Sequence, residues 1–127
     1  MDASWVRSSA IDESLARRAL TPDQSEIAAI LFKALSEPVR VRLMSLIASH
    51  RDGEASVSEL AEFFDVTQSN ISHHLRALRE AGLVIARKRP PWTFYRADPR
   101  TLTFLSHLLD PAVEASLAPA EAAIAPQ

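Results

Sequence analysis

The 127-residue chain contains no cysteine. That absence excludes disulfides, thiolate metal sites and thiol redox switching among its own residues. Glycine is nearly missing as well, with only Gly53 and Gly82. A chain so poor in glycine is short of tight active-site loops and has no glycine-rich phosphate cradle. There is no apolar run of membrane-spanning length and no signal-peptide pattern, so the expected location is the cytoplasm and no membrane partner is expected. Nor is there a convincing carboxylate–histidine or nucleophile–base set, which makes an enzyme the weakest functional class. What the chain does have is 47% apolar residues. That is enough for one domain with one modest core and too much for a disordered chain.

A net charge of −2 hides an asymmetry. From Val66 to Arg100 there are seven basic residues (Arg76, Arg79, Arg87, Lys88, Arg89, Arg96 and Arg100) against Glu80 and Asp98, a local charge of +5 that leaves −7 for the remainder. Phosphate attraction follows the local field rather than the total.

Helix signals organise the middle of the chain. Residues 1–20 carry no sustained apolar period and read as a flexible arm. Thr21-Pro22-Asp23-Gln24 combines a cap, a proline suited to the first helical position and a capping-box partner. Ile27, Ile30, Leu31 and Leu35 follow at helical spacing. Ser36-Glu37-Pro38 ends this helix and starts a second with a stripe of Val39, Leu43, Leu46 and Ile47, closed by His50-Arg51-Asp52-Gly53. Ser56 and Glu59 form another capping box before a third helix with Val57, Leu60, Ala61 and Phe64 on one face. Asp65-Val66 makes a turn, Thr67 caps a fourth helix, Val66 and Ile71 are placed to staple its start, and Gly82 stops it. Leu83–Lys88 and Trp92–Ala97 have strand character around Arg89-Pro90-Pro91, which predicts a hairpin. Pro99 opens a fifth helix carrying Leu102, Leu105, Leu108 and Leu109. Pro111 stops or kinks it, and residues 111–127 form a tail with a frayed Ala/Pro-rich end.

The fourth helix carries the chemistry. At about 100° per residue, Ile71, Leu75 and Leu78 share one side. Ser69, Ser72, His73 and Arg76 fall opposite, flanked by Gln68 and Arg79. Arg and Gln can contact guanine and adenine edges in bidentate fashion, and Ser and His can bond bases or phosphates. Gln68, Ser69 and Asn70 lie at the helix N-terminus, whose free N–H groups favour phosphate. Any amphipathic helix has a solvated outer face. The short helix before it, the tight turn and the basic hairpin after it favour groove reading over that plainer account. Arg87, Lys88 and Arg89 at the hairpin tip suit a phosphate or minor-groove contact, with a solubilising loop as the alternative.

Three segments, LFKALSEPVRVRLMSLI, SVSELAEFFDVTQSNISHHLRALREAGLV and WTFYRAD, resemble in order and spacing the ArsR/SmtB family of winged-helix repressors across roughly residues 25 to 110. The resemblance implies a mainly α winged helix-turn-helix fold with about five helices and a small β-hairpin, over residues 21–110. It implies a homodimer held by the first and last helices. That dimer binds double-stranded operator DNA and represses transcription until an effector, a metal or metalloid ion, lowers its affinity. It places DNA contacts at Gln68, Ser69, Asn70, Ser72, His73 and Arg76. The apolar stripes of the first and fifth helices independently suit a dimer interface. The rival class is a non-DNA module that uses the same helices to bind protein.

Two departures matter. The family turn usually carries glycine where this chain has Asp65, a residue that tolerates a left-handed backbone. Arsenic-sensing relatives carry Cys-Val-Cys where this chain has Ser56-Val57-Ser58, and some take a further thiol from the arm, where Ser8-Ser9 stand. Serine hydroxyls stay protonated and cannot replace thiolates for As(III), Cd(II) or Pb(II). With serine at these positions the chain has no metal site or cofactor; As(III) or a soft metal would require cysteine at Ser56 and Ser58. A different natural signal, loss of sensing, and replacement of cysteine by serine all remain open, and Ser56 has a separate role as a helix cap. His73 and His74 point too far apart to chelate one ion, and His74 reads as a packed, hydrogen-bonded residue. His107 and Asp110 resemble half of a metal site on the last helix. The other half would be Asp98-Pro99-Arg100, where arginine cannot ligate, and Glu114 lies beyond Pro111.

Overall fold

The computed structural model describes residues 19–110. Most of the expected arm, with Ser8 and Ser9, and the whole tail, with Glu114, lie outside the described residues. Helix α1 spans Pro22–Ala34 and α2 spans Pro38–Ser49. A 3₁₀ turn, Arg51–Gly53, leads into strand β1, Glu54–Ser56. Helix α3 is Val57–Ala61 and α4 is Gln68–Ala81. Strands β2, Val84–Arg89, and β3, Trp92–Ala97, precede α5, Pro99–Leu109.

The helix starts follow from capping. At α1, Gln24 N–H donates to Thr21 Oγ1 (3.1 Å) and Thr21 N–H donates back to Gln24 Oε1 (2.9 Å). At α3, Glu59 N–H donates to Ser56 Oγ (3.2 Å) and Ser56 N–H to Glu59 Oε1 (2.9 Å). Each pair satisfies two helix-end donors reciprocally. Helix α4 ends in a Schellman arrangement: Gly82 takes φ +91°, and Leu83 N–H donates to Leu78 O at 2.9 Å. Leu83 is thereby driven into the core with no exposed surface.

The core gathers one face of every element from α1 to β2. Leu43, Ile47, Leu60, Ile71, Leu75, Leu78 and Leu83 are all fully buried, and Leu31, Ala34, Ala55 and Val84 complete the cluster. Two bonds tie α5 to the end of α4 across the base of the hairpin. Asp98 N–H donates to Leu83 O (2.9 Å), and Thr101 Oγ1 donates to Gly82 O (2.7 Å).

Several expectations need correction. The sheet has three antiparallel strands in the order β1-β3-β2, not a lone hairpin. Ala55 sits opposite Tyr95, and Ser56 opposite Phe94. Strand β1 has three residues without β-branched or aromatic character, so no periodicity announces it; backbone pairing to β3 creates it. The connecting loop is Pro90-Pro91 alone, because Arg89 pairs with Trp92 as the last step of the ladder. The left-handed residue is not Asp65: among the described residues Asp52 (φ 60°) is the only non-glycine with positive φ, and it turns the chain from α2 into β1 together with Gly53. Helix α3 stops at Ala61, and Phe64 reaches the core edge from the turn that follows. On α1 the buried residues are Ala28, Leu31 and Ala34, while Ile27 and Ile30 are more than half exposed. The stripe is therefore split: Leu31 enters the core with Leu35 packed against it, while Ile27 and Ile30 point away.

Candidate nucleic-acid interface

Helix α4 has two sharply different sides. Ile71, His74, Leu75 and Leu78 are buried. Gln68, Ser69, Asn70, Ser72, His73, Arg76 and Arg79 are all exposed. The anticipated ridge of Ser69, Ser72, His73 and Arg76 is thus a continuous solvent-facing surface, with Gln68 and Asn70 at its N-terminal end. Thr67 Oγ1 accepts Asn70 N–H at 3.0 Å. The first helical N–H groups, at Gln68 and Ser69, stay outside the intrahelical ladder by geometry and face the same end.

His74 does not join the ridge. It is 7% exposed, and its Nδ1 accepts a hydrogen bond from Arg40 Nε at 3.0 Å. Burial holds its pKa below the ordinary histidine value; Glu37 pulls it upward, while Arg40 and His73 add to the lowering. Neighbouring His73 touches it edge-on, with ring centroids 5.5 Å apart. The pair is a packed contact between the core side and the outer side of the helix.

The wing divides its three basic residues. Alternation along the strands puts Arg87 and Arg89 on one face with Trp92, Phe94 and Arg96, while Lys88 lies on the opposite face with Thr93. Arg87 and Lys88 are exposed. Arg89 is engaged within the protein: its guanidinium pairs with Glu54 and sits 4.3 Å over the Phe94 ring. Glu54 has a 14% exposed side chain, so Arg89 neutralises a largely buried carboxylate and clamps the hairpin to β1. A cleft of about 170 Å³ between the wing and the 3₁₀ turn holds this contact; it is smaller than the pockets that enclose drug-sized ligands. Trp92, read from sequence only as a strand former, lies 54% exposed next to the loop. Period-two alternation was the signal that set it beside the basic residues.

Ser56 and Ser58, the serines that the sequence resemblance sets at thiol positions, are close together. Ser56 is 5% exposed, and its Oγ lies 3.2 Å from Ser58 Oγ. The Ser56 hydroxyl also caps α3. Glu59 is held below the usual carboxylate range chiefly by the Ser56 N–H, with further lowering from the Ser56 hydroxyl, His50 and Arg51 against the opposing effect of burial. Two protonated hydroxyls, one of them a cap, do not fit a soft metalloid. His107 is partly buried on α5 and Asp110 is exposed at its C-terminal cap. Among the described residues no three His, Asp or Glu side chains converge as a metal set, and no helix is long and apolar enough to cross a membrane.

Comparison with known proteins places this architecture. Residues 37–86 match the model of the arsR family of bacterial regulatory proteins. The arsenic resistance transcriptional regulator ArsR1 of Pseudomonas putida is 37% identical over 100 residues, covering 79% of this chain and 72% of that protein. A crystal structure of a possible transcriptional regulator for arsenical resistance superposes with a TM-score of 0.52 at 43% identity, over 71% of this chain and 83% of that one. The homodimeric winged helix-turn-helix DNA-binding domain of a possible ArsR-family regulator from Mycobacterium bovis gives a TM-score of 0.57 at 25% identity, over 79% and 91%. The chain belongs to the arsR family of bacterial regulatory proteins, as a winged-helix transcriptional repressor and not an enzyme.

Proposed function

We propose that the chain acts as a homodimer that occupies a partly palindromic operator, with one α4 from each protomer in successive major grooves about one DNA turn apart. The observation that carries this reading is the two-sidedness of α4: every anticipated contact residue on it is exposed, and every apolar residue that anchors it is buried. Gln68, Ser69, Asn70, Ser72, His73 and Arg76 form the base- and phosphate-reading ridge. Arg87 and Lys88 supply phosphate contacts from the wing. Arg89 adds its charge there but acts mainly by holding the hairpin against Glu54. The outward apolar residues Ile27 and Ile30 of α1, with Leu102 and Leu109 of α5, supply the dimer surface; that a relative is homodimeric supports the dimer itself.

Repression ends when an effector shifts the dimer away from its DNA-binding state. The names of the relatives point to arsenic, but the Ser56–Ser58 pair offers no thiolate, so arsenite is not the effector of this chain. Micromolar arsenite should leave a preformed DNA complex intact; dissociation would overturn that assignment. The operator reading is tested by titrating the protein with a labelled duplex from immediately upstream of its own coding region and with a scrambled duplex, across a salt series. A groove reader prefers the upstream duplex and loses affinity steeply with salt. Equal, weak binding to both would favour a protein-binding module.

A further inference from the structure

We propose that Arg40 and His74 are a positioning pair for the recognition helix, and that protonation of His74 releases it, so that the chain holds DNA less tightly as the solution turns acid. This rests on the reading of α4 as the DNA-contacting helix. It adds a control point on the core side of that helix, away from the contact ridge.

One guanidinium joins three helices. Arg40 Nη1 donates to Ala34 O, the last residue of α1, at 3.3 Å. Its Nη2 pairs with Glu37 Oε2, at the start of α2, at 2.8 Å. Its Nε donates to His74 Nδ1, midway along α4, at 3.0 Å. The fork is planar and rigid, so fixing two of its nitrogens on α1 and α2 fixes where the third points. His74 is immediately next to His73 and two residues before Arg76, both on the ridge. A helix moves as a stiff rod, so a shift at His74 displaces that ridge.

The bond also defines a protonation state. Arginine stays protonated and cannot accept, so Nδ1 of His74 must present its lone pair and the proton must sit on Nε2. Adding a second proton turns acceptor into donor. Two donors, both cationic, would then face each other at a site with 7% exposure, and the contact cannot persist. The charged groups acting on His74 are Glu37 before α2, Arg40 on α2 and His73 on α4. Glu37 favours the proton, Arg40 and His73 oppose it, and burial opposes it most strongly. The imidazole is therefore neutral through the neutral range and charges on the acid side of its ordinary 6.5. Because the folded pKa lies below the unfolded one, the unfolded chain takes the proton first. The contribution to stability is complete above 6.5 and declines as pH falls from there towards the folded value.

The test uses the full chain, the upstream duplex and the scrambled duplex. Affinities are measured by fluorescence anisotropy from about pH 8 downward through the ordinary histidine range, to the lowest pH at which circular dichroism still reports the folded chain, because burial moves the His74 transition towards acid. The wild type should lose about fivefold or more of its affinity for the upstream duplex, the scale of a modest coupling energy. His74→Asn keeps an acceptor near the Nδ1 position but does not titrate, and it should lose distinctly less affinity than the wild type over the same range. Identical profiles for the two proteins would overturn the proposal. In parallel, ring-nitrogen NMR of the DNA-free wild type should show an unprotonated Nδ1 at neutral pH. The amides of Ser72 to Arg76 should shift together as that ring charges; a protonated Nδ1, or still amides, would also overturn it. No preference for the upstream duplex at neutral pH would instead refute the DNA reading, and the amide titration would then judge the Arg40–His74 coupling by itself.

Discussion

Replacing Arg76 by alanine separates recognition from folding. The side chain is exposed on the outer face of α4 and makes no hydrogen bond or ion pair with another described residue, so its removal leaves every internal bond in place. A surface change of this kind alters stability by no more than about 0.5 kcal/mol, and alanine favours a helix at least as well as arginine. If Arg76 reads a base edge in bidentate fashion, its removal costs about 1–3 kcal/mol of discrimination. That is a roughly 5- to 150-fold fall in the ratio of upstream to scrambled affinity. Lys88→Ala gives the contrast: it deletes one phosphate-pairing charge from the wing, which should weaken both duplexes alike and reduce the salt slope by about 1. The assay is a paired anisotropy titration at two or more salt concentrations, with circular dichroism confirming helix content. The reasoning fails if R76A binds both duplexes with the wild-type ratio, or if it reduces both affinities by one factor as K88A does.

Other consequences follow from named contacts. Arg89→Ala should weaken the two duplexes by the same factor and speed amide exchange along β2 and β3, since it removes the clamp on Glu54; unchanged exchange would mean that the clamp does not hold the wing. Gly82→Ala places a Cβ in open space but at φ +91°. The cost is backbone strain alone, roughly 1–2 kcal/mol, read as a melting temperature lower by several degrees. Glu59 carries a folded pKa below the ordinary 4.5, so its contribution to stability is present above that value and disappears as pH falls through the folded pKa. Chemical denaturation of wild type and Glu59→Gln should therefore differ at neutral pH and converge in acid.

The helices were legible because their signals are local. Thr21 and Gln24, Ser56 and Glu59, and the prolines at 22, 38 and 99 act within one turn, and the structure retains each of them. The exposure of the α4 ridge was legible for the same reason: helical period alone separates Ile71, Leu75 and Leu78 from Ser69, Ser72 and Arg76. What escaped the sequence was made by contacts distant along the chain. Strand β1 exists because β3 pairs with it. Arg89 looked like a free cation until Glu54, thirty-five residues earlier, met it. Arg40 lies on an ordinary helix and gains its role only where α1, α2 and α4 converge. Ile27 and Ile30 fit the helical period, but period does not say whether an apolar stripe faces its own core or a second chain.

The most direct measurement is an amide NMR titration of the protein with its upstream duplex. The account predicts shift changes concentrated at Gln68 to Arg76 and at Arg87 and Lys88, with the core-facing amides of α2 little altered. Changes confined to α1 and α5, with the α4 ridge silent, would contradict it.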